Sequence, residues 1–254
     1  MAVSNEITQV EHDEELNLLF LRLQIASVLN AGEKLHAMTG EMRDWIFNTA
    51  VNHEFFKKIK IPQRRYAKEQ VAAQTALNAF SKRNNGEFQR SRYIDLQDFF
   101  KKYNNLSSSD RKLIKETENS YDVIVKYFGD KLKYVNSRAI AVSVYLFVSE
   151  LREQGKEREI KVFVEFFVEF LKTQRWQVPK GVEMDSAYYD LLTFQTSVTQ
   201  AAGEKTAIQK RHDFLNRYFY FYKENGVIIG DKEYKQKTKK DPNIERRKIR
   251  LYRE

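Results

Sequence analysis

The stretch that decides the fold is EREIKVFVEFFVEFL, Glu157 to Leu171. Ile160, Phe163, Val164, Phe167, Phe170 and Leu171 recur at helical spacing and form a wide apolar face, so the segment reads as an amphipathic helix with its core side densely aromatic. Glu165 and Glu169 stand four apart on the other side and read as a solvated face rather than an acid/base pair. Trp176-Gln177-Val178-Pro179-Lys180-Gly181 stops this helix and marks a sub-domain break near 176–185. Upstream, Asn136-Ser137 caps a helix that ends near Gly155. Its run from Ala139 to Val148, interrupted by Ser143, is about half of the ~20 residues that a membrane-crossing helix needs, so it predicts a buried helix instead. Ser107-Ser108-Ser109-Asp110 is an N-terminal cap for a helix running to Gly129.

Further toward the N-terminus, Arg65 to Phe80 has a helical composition, and Lys82 to Gln89, with Asn84-Asn85-Gly86, reads as a loop. Thr39 before Gly40 starts a helix through Asn52. Leu16, Leu19, Phe20 and Leu23 follow helical spacing, with Glu14 and Glu15 where the helix dipole favours acids. Downstream, Ser186 to Ala201 and Glu204 to Asn225 are two more helices separated by Gly203. Val227-Ile228-Ile229-Gly230 is the one strand-like stretch, and no period-two run is long enough to predict a sheet. The expectation is an all-α multi-helix bundle of at least seven helices. It spans residues 1–225 as one domain or two sub-bundles, followed by a basic, partly disordered tail at 226–254.

Composition agrees with a packed helical core. Of 254 residues, 42% are hydrophobic and 31% charged, and 18 Phe and 14 Tyr supply large side chains for burial. The absence of cysteine, an N-terminus without a basic or apolar leader and the lack of a long apolar run together predict a cytoplasmic protein with no membrane association. Net charge is +9 and unevenly spread. Residues 1–56 hold three Lys/Arg against nine Asp/Glu, whereas residues 57–102 hold twelve against four, and residues 226–254 ten against five.

The motif inventory argues against catalysis. His12, His36, His53 and His212 are far apart, and none has the spacing of a zinc site. There is no Gly-x-x-x-x-Gly-Lys-Ser/Thr loop, no Gly-x-Gly-x-x-Gly turn and no Gly-x-Ser-x-Gly elbow. Neither Glu14/Glu15 nor Glu165/Glu169 forms a convincing carboxylate dyad. The chain is expected to be no enzyme on its own and to hold no cofactor or metal.

One segment carries a likeness. Glu14 to Phe56 reads EELNLLFLRLQIASVLNAGEKLHAMTGEMRDWIFNTAVNHEFF, with Phe20, then Arg22-Leu23-Gln24, then Leu29-Asn30 and Glu33, and Ile61 to Gln70 continues it as IPQRRYAKEQ. These residues resemble the helical segment of the GmrSD-type, ParB-related family of restriction and phage-defence proteins, over roughly residues 10–105. The resemblance implies nucleotide-dependent action on foreign or modified DNA. It also implies that the nucleotide is handled by a preceding ParB-like α/β half with an Asp-Gly-Gln-Gln-Arg motif. That motif and a His-Asn-His nuclease module have no counterpart in this sequence, so only the part after the ParB-like half is matched. By the same resemblance, Arg22, Gln24, Asn30 and Glu33 would line the edge of a nucleotide site completed by that half or by a partner chain.

Two function classes follow. The first is a DNA-interacting, regulatory part of a defence system, carried by Lys57, Lys58, Lys60, Arg64, Arg65, Lys68, Arg90 and Arg92, with Lys101 and Lys102 adding charge and Tyr66 and Tyr93 placed to stack. A solvated charged face explains the same residues without DNA. The second is a scaffold subunit that completes a nucleotide site with a partner.

Overall fold

The structure, a computed structural model, describes residues 29–172, 187–226 and 228. Ten α-helices run through them: α1 (Ala31–His36), α2 (Glu41–Asp44), α3 (Glu54–Lys58), α4 (Ala67–Asn85), α5 (Tyr93–Lys102), α6 (Ser108–Phe128), α7 (Arg138–Glu153), α8 (Glu159–Lys172), α9 (Ala187–Thr199) and α10 (Lys205–Asn225). A π turn at Trp45–Thr49 and 3-10 turns at Ala50–Asn52 and Gly129–Tyr134 join them. No strand occurs among the described residues, and no helix there is long and apolar enough to cross a membrane. The fold is all-α, as the periodicity predicts.

α7 is the axis of the bundle. Every residue from Ala139 to Val148 is buried, because α4, α6, α8, α9 and α10 all pack around it. A helix covered on all sides is apolar on all sides, which is why its sequence superficially suggests a membrane span. The aliphatic hydroxyl in that run, Ser143, bonds the Ala139 carbonyl at 2.8 Å and so carries no unmet polarity. α8 adds the aromatic wall: Phe163 meets Phe147 at 4.5 Å, Phe167 at 5.2 Å and Phe219 at 5.7 Å between ring centroids. Phe170 continues it across to Phe194 and Phe214, at 5.5 and 5.4 Å. Side chains on both sides of residues 173–186 therefore share one core.

The caps read at Ser107 and Ser137 are present, whereas at the start of α2 the cap position is Gly40 rather than Thr39 and no side chain caps it. Ser107 and Asp110 exchange side-chain-to-backbone bonds of 3.2 and 2.9 Å at the start of α6. Ser137 accepts from the Ile140 amide at 3.3 Å at the start of α7. Two local readings differ from the structure, and one helix, α5, has no counterpart in the sequence reading. α4 continues to Asn85, with Lys82 and Arg83 in its last turn, where cations favour the helix dipole, and Gly86 closes it at φ 73°. The segment from Glu41 to Asn52 is broken into α, π and 3-10 turns, and Trp45 there donates its indole N–H to Glu118 at 3.0 Å. α5 lacks a Ser/Thr cap signal, since its cap position is Arg92; instead Asp95 accepts from the Arg92 amide at 2.9 Å. The helix predicted at Leu16 to Leu23, the stop at Trp176 to Gly181 and the tail from 229 onward lie outside the described residues. Of the strand-like stretch, Ile228 is described and is buried in the core.

Candidate nucleic-acid interface

The sequence places eight cations in one candidate interface, and the fold divides them into two groups. Four are neutralised. Lys57 pairs with Glu54 at 2.8 Å; Arg65 grips Glu33 through Nε and Nη2, both at 2.8 Å; Arg90 grips Asp95 at 2.9 Å; and Arg92 pairs with Glu204 of α10. The other four, Lys58, Lys60, Arg64 and Lys68, have no carboxylate at ion-pairing distance among the described residues. Sequence counting treats all eight alike because two of the pairings span 32 and 112 residues.

The free group does not stand alone. The Lys60 amide donates to the Val135 carbonyl at 2.8 Å, and Arg138 donates to the Gln70 side chain. The segments 57–70 and 131–138 are thus fastened at two points. This brings Lys131 and Lys133, from the 3-10 turn, and Arg138 alongside Lys58, Lys60, Arg64 and Lys68. Lys172, at the end of α8, joins from the other side: its ammonium lies 5.0 Å from the Tyr134 ring, and that of Lys133 lies 5.6 Å from the same ring. Asp130 is the acid in that turn, and Glu69 nearby is buried and already holds the Gln63 amide at 2.7 Å. Glu54, already paired with Lys57, also acts on Lys58; the result is a seam in which lysine and arginine outnumber the carboxylates beside them. Lys131, Lys133 and Lys172 lie outside the cluster read from the sequence; the Lys-Leu-Lys-Tyr pattern before Val135 marks the first two, and nothing local marks Lys172.

The tyrosines proposed for stacking are occupied. Tyr66 lies against His36 at 4.5 Å with 12° between the rings, and Phe47 closes on it at 5.6 Å. Tyr93 carries the Lys34 ammonium at 5.5 Å. Base stacking has no ready platform at these two positions, so the chemistry the seam offers is to phosphate.

No family model, curated protein or solved structure matches this chain.

The residues assigned to a nucleotide-site edge divide as well. Arg22 and Gln24 lie outside the described residues. Asn30 and Glu33 form the capping box of α1, with bonds of 3.0 and 2.8 Å, and Glu33 at the same time binds Arg65. This joint is tight. Arg65 and Tyr66 both adopt left-handed backbone, at φ 50° and 63°. A Cβ on Gly32 would sit 2.6 Å from the Arg65 carbonyl and 2.5 Å from Gln70 Nε2, so only glycine permits this approach. Asn30 and Glu33 therefore serve first to lock α1 onto the entry of α4.

The Glu33 carboxyl is drawn down to about 2, first by the Arg65 guanidinium and then by the Asn30 amide. Because its folded-state pKa is depressed, the stabilising contribution is complete above its ordinary 4.5 and is lost as pH falls through about 2. A carboxyl-detected NMR titration should find the Glu33 midpoint near 2, returning toward 4.5 in Arg65→Gln. A midpoint near 4.5 in the unaltered protein would show that the pair does not form.

The histidines have structural partners. His53 caps α3 by accepting from the Phe55 amide at 3.1 Å, with its other ring nitrogen 3.0 Å from Asp122. His212 meets Glu150 at 2.7 Å. His12 is outside the described residues. No group of three potential metal ligands occurs among the described residues. Glu165 and Glu169 are both exposed on α8, as expected of a solvated face.

Proposed function

We propose that this chain is the helical, DNA-backbone-binding portion of a GmrSD-type, ParB-related restriction or phage-defence protein, acting without nucleotide hydrolysis or nuclease chemistry of its own. The likeness of roughly residues 10–105 to that family supplies the context. The observation that carries the reading is the Lys60 to Val135 bond, which unites two cation-rich segments into one seam while Arg90 and Arg92 are spent on Asp95 and Glu204. Cations without carboxylate partners can release phosphate counterions on binding, whereas paired ones must first give up a partner. Binding at such a seam is sequence-independent and strongly salt-dependent.

A fluorescence-anisotropy titration of a short mixed-sequence duplex across a potassium chloride series tests this. The logarithm of the affinity should fall linearly with the logarithm of salt, with a slope of roughly −0.9 for each phosphate contacted. A slope near zero, or no binding at low salt, would remove the reading.

The scaffold reading draws support from Leu29 and Ile94, the large hydrophobic side chains left exposed among the described residues, at 53% and 48%. Leu29 immediately precedes the locked α1 joint, where the family likeness expects a partner half. Size-exclusion chromatography with a candidate ParB-like partner separates the two readings: a stable complex with no DNA binding by the chain alone would favour the scaffold.

A further inference from the structure

A cleft of about 330 Å³ opens between α4, α6 and α7, within the roughly 300–1,000 Å³ typical of small-molecule sites. It shares no residue with the basic seam, and its lining is electrically balanced. α4 contributes Lys82 and Arg83; α6 contributes Glu116; the end of α7 contributes Glu150, Arg152 and Glu153.

Two of these charges are already committed. Glu150 holds His212 at 2.7 Å, and that ring is packed against Phe88 and Phe147 at 4.9 and 5.9 Å. Arg152 bonds the Glu116 carbonyl at 3.2 Å and the Ser120 hydroxyl at 2.5 Å, and lies 3.7 Å from Glu157. The remaining four are not committed to any ion pair among the described residues: Lys82 and Arg83 on one wall, Glu116 and Glu153 on the others. Lys82 and Arg83 are near enough to act favourably on the Glu153 carboxylate, yet burial and the neighbouring Glu150 and Glu116 still push its pKa upward. Opposite charges face one another across the cleft without closing on each other. Between them the Ser149 hydroxyl is buried beside the Tyr145 hydroxyl, which leaves its oxygen able to accept a further hydrogen bond.

A purely cationic ligand would meet Lys82 and Arg83, and a purely anionic one would meet Glu116, Glu150 and Glu153. A molecule carrying both charges meets complementary groups at each end. We propose that the cleft binds a small zwitterion of the free α-amino acid class, its ammonium directed to Glu116, Glu153 and the Ser149 hydroxyl and its carboxylate to Lys82 and Arg83. Phe88 supplies an apolar wall for a side chain, already carrying the Lys82 ammonium 5.0 Å above its ring.

The test uses the full chain. Each of the twenty free L-amino acids is tested singly by thermal shift and by amide NMR at Ser149 and Glu153, at up to about 10 mM, which reveals millimolar binding. Putrescine serves as the cation-only control and glutarate as the anion-only control. At least one amino acid should raise the melting temperature and shift those amides, with both controls at least about tenfold weaker. Glu153→Gln and the double variant Lys82→Gln/Arg83→Gln should each weaken that amino acid by about tenfold or more, the loss of a charge-assisted bond. All three substituted residues are exposed, so the variants should fold, and unaltered melting temperatures without ligand check this. Binding of putrescine or glutarate as tight as the best amino acid, unchanged affinity in the variants, or no response to any amino acid would each overturn the proposal.

Discussion

Truncating Arg211 to alanine should destabilise the protein by about 3–5 kcal/mol in urea unfolding. This guanidinium is 1% exposed and has no carboxylate partner among the described residues. It donates instead to Ser143 Oγ at 2.9 Å, to the Ala202 carbonyl at 3.0 Å and to the Ser197 carbonyl. Ser197 lies in the last turn of α9, whose final carbonyls have no partner within the helix, so a cation there satisfies both a hydrogen-bond need and the negative end of the helix dipole. Burial lowers its pKa to about 10, which still leaves it charged at neutral pH. Alanine would strand the buried Ser197 carbonyl, at about 1–3 kcal/mol, and the half-buried Ala202 carbonyl at less, and open a cavity; relief from burying a charge offsets part of this. Arg211→Met fills the space without the donors and should recover the packing part alone. An alanine variant within about 1 kcal/mol of the parent would mean that water replaces the guanidinium at little cost.

Replacing Phe163 with alanine should cost a similar amount, about 3–5 kcal/mol. Its ring is fully buried and contacts Phe128 from α6, Phe147 from α7, Phe166 and Phe167 from α8 itself and Phe219 from α10. Rings held by four different helices cannot all collapse into the vacated space, so much of the cavity should persist. Phe163→Leu retains most of the volume and should lose far less. A loss below about 1.5 kcal/mol for alanine would indicate that these aromatic rings repack freely.

Helix periodicity was the legible part of this sequence. The face of residues 157–171, the buried run from Ala139 and the Ser107 and Ser137 caps are local signals, and each corresponds to a local feature of the fold. What escaped was governed by contacts distant in sequence. α5 begins at an arginine rather than a serine, so it shows no cap signature. The breaks between Glu41 and Asn52 accompany packing of Trp45 against Glu118, 73 residues away.

The candidate interface follows the same logic. Summing charge over residues 57–102 finds a basic region but cannot see that Arg92 is neutralised from α10, nor that residues 131–138 lie beside residues 57–70. The seam is therefore a property of tertiary structure. Half of its cations sit in a part of the sequence where charge is nearly balanced.

The most direct test of the central claim is a comparison of salt slopes for duplex DNA binding among three altered proteins. One carries Lys58→Gln, Lys60→Gln, Lys131→Gln and Lys133→Gln; the second carries Arg90→Gln and Arg92→Gln; the third lacks residues 232–254. The account predicts that the first loses affinity and that its slope flattens by roughly 0.9 for each contact removed. The second and third should keep slopes close to that of the parent. If deleting residues 232–254 abolishes binding while the four-lysine variant binds like the parent, the seam is a solvated face and the DNA-binding account is wrong.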